Sequence, residues 1–364
     1  MQQIVGLNWL RGISALLVAL SHARPFFYEN FSQLGADVPP LVKGFYLVTS
    51  LGHPAVMVFF VLSGYLVAGS AYRSHTADAW SWRNYLTSRL SRLCVVLVPC
   101  LILTFGLDMI GQYGFGSGFY IGEHPEYWSD PEAGGQMGIA IFIGNIFFVQ
   151  TILVPTFGSN GPLWSIAYEF WYYILFPLAM LALLPGRPAK SRIIALIVFG
   201  VIALAVGGKI MALFPVWLLG FVAWKLRESA FAILLRRTRI GLTVAFSTVI
   251  LMLGFRAMQA EGLLYDYIFG CMVALSLPVL TGSLLGRGAA FAHRLSDMSY
   301  SLYLSHFPVL ALLAATHGNT RSTEITADLP LFFAWLMIVF IVAFAIWAVF
   351  ERNTNHVRDW LRAL

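Results

Sequence analysis

The feature that most constrains this chain is its succession of long apolar runs. They lie at approximately 7–28, 54–72, 93–113, 138–155, 163–184, 193–208, 210–224, 240–258, 264–284, 298–316 and 329–350, bounded by Gly, Pro and charged clusters. A helix needs roughly 20 apolar residues to cross a hydrocarbon core about 30 Å thick, and most of these runs have that length. The residues between them carry most of the charge, and charged side chains make up only 11% of the 364 residues. Soluble domains carry about 25%. With 59% apolar residues and a mean hydropathy of +0.76, the chain cannot fold as a water-soluble globule. It reads as an all-α, polytopic membrane helix bundle, residues 1–364 forming a single membrane domain with no appended soluble domain.

Loop charge sets the orientation, because Lys and Arg accumulate on the cytoplasmic side. Residues 73–92 carry Arg73, Arg83, Arg89 and Arg92, and 185–192 carry Arg187, Lys190 and Arg192, so both segments read as cytoplasmic. Between them, 114–137 holds Glu123, Glu126, Asp130 and Glu132 with no Lys or Arg, and reads as external. Two inner loops around one outer loop allow two crossings, yet three apolar runs lie there. Run 138–155, interrupted by Gly144-Asn145 and Gln150, is therefore expected to be re-entrant or interfacial. The remaining ten runs make about ten transmembrane helices with both termini cytoplasmic. This scheme puts 18 of the 23 Lys and Arg inside and 5 outside, namely Arg24, Lys43, Lys209, Arg256 and Arg321. The pair 193–208 and 210–224, short for spans, is its weakest point. The basic surplus thus reports loop charge rather than nucleic-acid binding. Met1-Gln2-Gln3 offers no basic n-region, so run one reads as a span and not as a leader. Cys94, Cys100 and Cys271 lie in apolar stretches without disulfide or metal-ligand spacing, and neither a disulfide nor a cysteine-bound metal is expected.

Ionisable groups at membrane depth cost about 2.5–3.5 kcal/mol on insertion scales, so each needs a reason to be there. Arg11 and His22 in run one are eleven residues apart. They fall about 20° from sharing a helix face, with His22 roughly 16 Å further toward the outside. The plain alternative is that both snorkel to opposite interfaces. In run two, Ser63-Gly64 is a small polar step that admits a close approach by a ligand or by another helix. Arg89 and Arg92 are three apart at a membrane entry, which suits either a two-guanidinium anion clamp or a positive-inside anchor. Run five opens Gly161-Pro162-Leu163-Trp164-Ser165, with Glu169 one turn beyond Ser165. Such a carboxylate requires a function or an internal ion pair. In run ten, Tyr300, Tyr303 and His306 succeed one another at three-residue steps.

Together these pieces resemble acyltransferase family 3, integral membrane O-acyltransferases that modify bacterial polysaccharides, O-antigens and related glycans. The resemblance runs nearly the whole chain. Arg11 and His22 match the family's basic residue, ten positions and a histidine in helix one. Phe59-Phe60 and Ser63-Gly64 match its Phe-Phe…Ser-Gly signature, Arg89 and Arg92 its Arg-x-x-Arg, and Leu163 to Glu169 its Leu-Trp-Ser-Leu-x-x-Glu with Ile166 for Leu. Residues 299–306 match its Ser-Tyr-Ser-Leu-Tyr-Leu-x-His. The family's usual Glu-Arg-Pro near the C-terminus is here Glu351-Arg352-Asn353, a departure.

The resemblance implies a multi-pass protein of the bacterial inner membrane that takes an acyl group from cytoplasmic acyl-CoA, acetyl-CoA being commonest, without a metal. The acceptor would be a glycan or lipid-linked saccharide, with polysaccharide-assembly proteins as possible partners. It assigns donor binding to Arg11, Arg89, Arg92, Ser63 and Gly64. Acceptor contacts would come from Trp164, Ser165, Tyr300 and Tyr303. Catalysis falls to His22, Glu169 and His306: neutral imidazole suits proton abstraction from a sugar hydroxyl, making His22 the general base. A covalent acyl-histidine is the rival role. Glu169 would orient a histidine or bind acceptor, and Tyr300 or His306 would stabilise an oxyanion. A transporter or flippase of a lipid-linked glycan or charged solute is the competing class, with the same residues as relay sites. A membrane subunit that only positions a partner is the third.

Overall fold

The computed structural model describes residues 5–35, 37–121, 136–184, 186–259, 261–281 and 288–363. The acidic residues Glu123, Glu126, Asp130 and Glu132, and Arg287 in a later loop, lie outside them. Among the described residues the fold is all-helical, with two isolated β-bridges and no strand. This is what a bilayer demands, since a lipid-exposed backbone must satisfy its own hydrogen bonds. In chain order the helices are α1 (Val5–Phe27), α2 (Pro40–Val48), α3 (Gly52–Ser63), α4 (Gly69–Thr76), α5 (Trp82–Met109) and α6 (Ile139–Ile146). There follow α7 (Trp164–Leu183), α8 (Ala189–Lys225), α9 (Ala230–Arg237), α10 (Arg239–Ala257) and α11 (Leu263–Leu280). The last are α12 (Ala289–Asp297), α13 (Ser299–Thr316), α14 (Ile325–Val349) and α15 (Thr354–Ala363).

Among the described residues, seven helical stretches are long and apolar enough to cross a membrane: Pro40–Thr76, Trp82–Gly114, Gly161–Leu183, Ala189–Lys225, Arg239–Ala257, Leu263–Leu280 and Ile325–Ala363. The bent pair α12 and α13, at 54°, makes an eighth if it is one span. This count is smaller than ten for two reasons. Helix α1 forms over 23 residues but falls outside the set, its run being diluted by Arg11, His22 and Arg24. Runs 193–208 and 210–224 merge into the 37-residue α8, broken only at Gly207, whose φ of 82° and ψ of 170° are not helical. In run 138–155 only α6 is helical, and its eight residues rise about 12 Å, too little to span.

The chain divides into two compact units. One comprises Met1–Arg11, Val56–Arg89 and Tyr168–His293. Within it α3 passes through a π-helical turn, Gly64–Ala68, before α4. A Cβ built on Gly64 would lie 1.8 Å from the Trp217 carbonyl, and one on Gly220 would lie 1.9 Å from that of Val61. The two backbones therefore touch, and both positions must be glycine. The close approach expected at Ser63-Gly64 is made by a helix. In the same unit α10 and α11 pair through Thr248 Oγ1 and Ser276 Oγ, 2.9 Å apart.

The other unit comprises Gly12–Ala55, Leu90–Ala167 and Arg294–Leu364. Its core helix is α13, 14 of whose 18 residues are buried, Ser301, Ser305 and His306 among them. Aromatic rings at the end of α1 close around it. Phe26 meets Phe307 at 5.1 Å between centroids, and Phe27 meets Trp335 of α14 at 4.8 Å.

Candidate active site

Within the second unit α1 and α13 bring together two histidines separated by 284 positions in sequence. His22 Nδ1 and His306 Nε2 are 2.8 Å apart, with the rings nearly parallel at 16°. Their proton positions follow from one further contact. His306 Nδ1 lies 3.0 Å from the Leu302 carbonyl, which only accepts, so this nitrogen carries a hydrogen. Neutral His306 therefore has a bare Nε2, which accepts from His22 Nδ1–H. That leaves Nε2 of His22 without a hydrogen, as a base must be. The burial is asymmetric: His306 is 0% exposed, whereas His22 keeps partial exposure. Phe307 packs edge-on against His22 at 5.3 Å.

The surroundings of α13 fix the helix that carries His306. Glu351 Oε2 accepts from Ser301 N at 3.0 Å and Ser301 Oγ at 2.6 Å, satisfying a donor that the first turn leaves free and placing negative charge at the helix N-terminus. Tyr300 donates to the Leu93 carbonyl on α5 at 3.2 Å. Tyr303 and Ser165 share a hydrogen bond of 2.6 Å, and each also lies within reach of the Pro162 carbonyl, at 3.3 and 3.1 Å. Asn160 Nδ2 donates to the Leu304 carbonyl at 2.8 Å and to Thr104 Oγ1 at 3.3 Å. Beside it, the fully buried Asp108 accepts from Ser159 N at 2.6 Å and Ser159 Oγ at 2.7 Å. Gly158, at φ +57°, leaves room for that carboxylate.

In the first unit the polar residues form a directed chain. Trp217 Nε1, a donor only, reaches Ser63 Oγ at 3.1 Å. Ser63 donates to Tyr173 Oη at 3.4 Å, and Tyr173 donates to Glu169 one turn back on α7. The Arg89 guanidinium lies over the rings of Tyr85 and Tyr173, at 5.8 and 6.0 Å, with its Nε buried and without a hydrogen-bond partner. Tyr85 donates to the Tyr173 carbonyl at 3.0 Å.

The structure thus brings His22 together with His306, Ser165 with Tyr303, and Glu169 with Ser63. Both ring nitrogens of His306 face partners, Nδ1 the Leu302 carbonyl and Nε2 His22 Nδ1. Gly64 packs on backbone. Arg92 is exposed on α5, Arg11 lies half-buried on α1, and Trp164 opens α7 half-buried. Among the described residues no three His, Cys, Asp or Glu side chains group as metal ligands. Asp108, Asn160, Tyr173 and Trp217 do not stand out from sequence in the way these do. A carboxylate inside run 93–113 is a signal for Asp108; the others show only through partners distant in sequence.

Comparison with known proteins adds an independent line. A family model described as an acyltransferase domain matches residues 4–352. An O-acetyl transferase of Shigella phage Sf6 is 28% identical over 335 residues, covering 84% of each chain. The acyltransferase MdmB of Streptomyces mycarofaciens is 27% identical over 180 residues, 48% of this chain and 39% of that one. No solved structure matches.

Proposed function

Because this chain belongs to acyltransferase family 3 and is a membrane O-acyltransferase, we propose that it moves an acetyl group from cytoplasmic acetyl-CoA to a hydroxyl of a cell-surface glycan, with His22 as general base. The observation that carries the reading is the pair of contacts His22 Nδ1 to His306 Nε2 at 2.8 Å and His306 Nδ1 to the Leu302 carbonyl at 3.0 Å; with that carbonyl as acceptor and His306 neutral, His22 Nε2 is the nitrogen left to take a proton. In the reaction, Nε2 removes the acceptor hydroxyl's proton as that oxygen attacks the thioester carbonyl. The tetrahedral intermediate then expels the coenzyme A thiolate, and His22 returns the proton to sulfur. The imidazolium formed in between donates from Nδ1 to His306, which orients it as the buried partner of a catalytic histidine does elsewhere. His306 acts here as a positioning residue.

Arg89 supports donor binding: a half-buried guanidinium with an unused N–H, near the cytoplasmic end of α5, suits a phosphate of the coenzyme. Arg92 and Arg11 would add positive charge for the same donor. Glu169 is reached by a hydrogen-bond chain and is a candidate for holding an acceptor hydroxyl. The phage relative is an O-acetyl transferase, which supports acetyl as the group moved. The glycan acceptor, the bacterial inner membrane and the ten-crossing arrangement with cytoplasmic termini complete the proposal and rest on motif resemblance and loop charge.

The test is acetyl-CoA binding and thioester cleavage by protein purified into nanodiscs, comparing wild type, His22→Ala and the double variant Arg89→Ala/Arg92→Ala. The expected result is cleavage falling by about 10²–10⁴-fold in His22→Ala with donor binding retained, and donor binding weakened in the arginine variant. Well-folded wild type that binds no acyl-CoA would end the proposal.

A further inference from the structure

Helix α13 contains Pro308, and a proline has no N–H to give the carbonyl four residues before it. That carbonyl belongs to Leu304, two positions from His306. It is buried, and a buried carbonyl must find a donor. Asn160 supplies one: its Nδ2 reaches Leu304 O at 2.8 Å. The second hydrogen of the same amide goes to Thr104 Oγ1, whose own hydrogen is given to the Cys100 carbonyl at 2.8 Å. Both neighbours of Nδ2 are thus acceptors, which fixes the amide with its nitrogen toward α13. Asn160 itself is 0% exposed.

We propose that Asn160 is a positioning residue for the His22–His306 pair, acting by holding the carbonyl that Pro308 releases. Bonded, that carbonyl holds the turn of α13 that includes His306 and so the approach of His306 Nε2 to His22. Unbonded, the turn relaxes and the base loses its orientation without losing any group that touches substrate. The first unit repeats the device. Pro177 of α7 releases the carbonyl of Tyr173, and Tyr85 captures it at 3.0 Å, directly behind the tyrosine that serves Glu169.

This inference rests on the reading of His22 as base, and the test separates the two. Acetyl-CoA cleavage is followed in nanodiscs for wild type, His22→Ala, Asn160→Ala, Asn160→Asp, Pro308→Ala and Asn160→Ala/Pro308→Ala. Misplacing a reacting group by an ångström costs about 10²-fold. Asn160→Ala and Asn160→Asp should therefore lower kcat by about 10–100-fold with KM for acetyl-CoA unchanged. Asp keeps the shape but offers Leu304 no hydrogen. The Pro308→Ala substitution restores a backbone donor, so in its background Asn160→Ala should have little further effect. An equal loss in the Pro308→Ala background and in the wild-type background would overturn the proposal. If Pro308→Ala alone abolishes turnover, the same comparison is read as the thermal midpoint: Asn160→Ala lowers it only where Pro308 is present, and equal lowering in both backgrounds overturns the proposal. Full turnover in His22→Ala would instead remove the base, and this role with it.

Discussion

At the residue scale, the proposed chemistry turns on which imidazole nitrogen is bare. Sequence singles out His22 and His306 as polar groups in apolar runs, yet does not show that they meet, because a helical face says nothing of which partner it will find. With its Nδ1 facing the Leu302 carbonyl and its Nε2 facing His22 Nδ1, His306 is placed to orient His22, and the proposal gives it that role in preference to the oxyanion role. A positioning role makes a sharper prediction. His306→Ala should lower kcat for acetyl-CoA cleavage by about 10²-fold or more and leave KM in place. His306→Gln, whose amide oxygen can accept from His22 Nδ1–H, should recover most of the loss. Steady-state kinetics on the two variants decide the matter: a Gln variant no better than Ala would mean that the ring fills volume rather than orients His22.

At the element scale, proline breaks and glycine crossings do what propensity cannot forecast. Runs and their Gly, Pro and charge boundaries mark most helices well. The merging of α2 through α4 into one long stretch and the place of the π-helical turn were not legible, since both depend on what packs against α3. That turn adjoins the crossing where Gly64 meets the Trp217 carbonyl, and such turns gather where a helix must bend around a neighbour. A methyl at 64 has nowhere to go, because the obstacle is backbone. Gly64→Ala should therefore cost about 1–3 kcal/mol, the range for overpacking, and lower the thermal midpoint in detergent. Gly106 in α5 is the control: nothing lies within 4 Å of its would-be Cβ. There alanine should stabilise by about 0.5–1 kcal/mol through helix propensity. Equal effects at the two positions would show that the crossing is looser than its distances state. The departure at Glu351-Arg352-Asn353 also finds its meaning at this scale: the glutamate, which is kept, caps α13, and that bond needs no proline two residues on.

At the scale of the whole molecule, hydropathy and loop charge give different answers for α8, and the proposed ten-crossing arrangement follows charge. By length and composition Ala189–Lys225 counts as one span. A straight helix of 37 residues would be about 55 Å long, far more than the hydrocarbon needs. The break at Gly207 leaves two halves of about 27 Å each, either of which can cross alone. A single crossing would also put the segment with Lys225, Arg227, Arg236, Arg237 and Arg239 on the face opposite Arg187, Lys190 and Arg192, against the positive-inside rule. Two crossings return it to the cytoplasm and leave only Lys209 near the outer end of the break. Membrane-impermeant maleimide on intact cells tests this, with Cys94, Cys100 and Cys271 replaced by alanine. A cysteine introduced as Lys209→Cys should label from outside, and one introduced as Glu228→Cys should label only after permeabilisation. Labelling of Glu228→Cys in intact cells would make α8 a single tilted span, place the later basic loops outside, and move the C-terminus to the other face of the membrane.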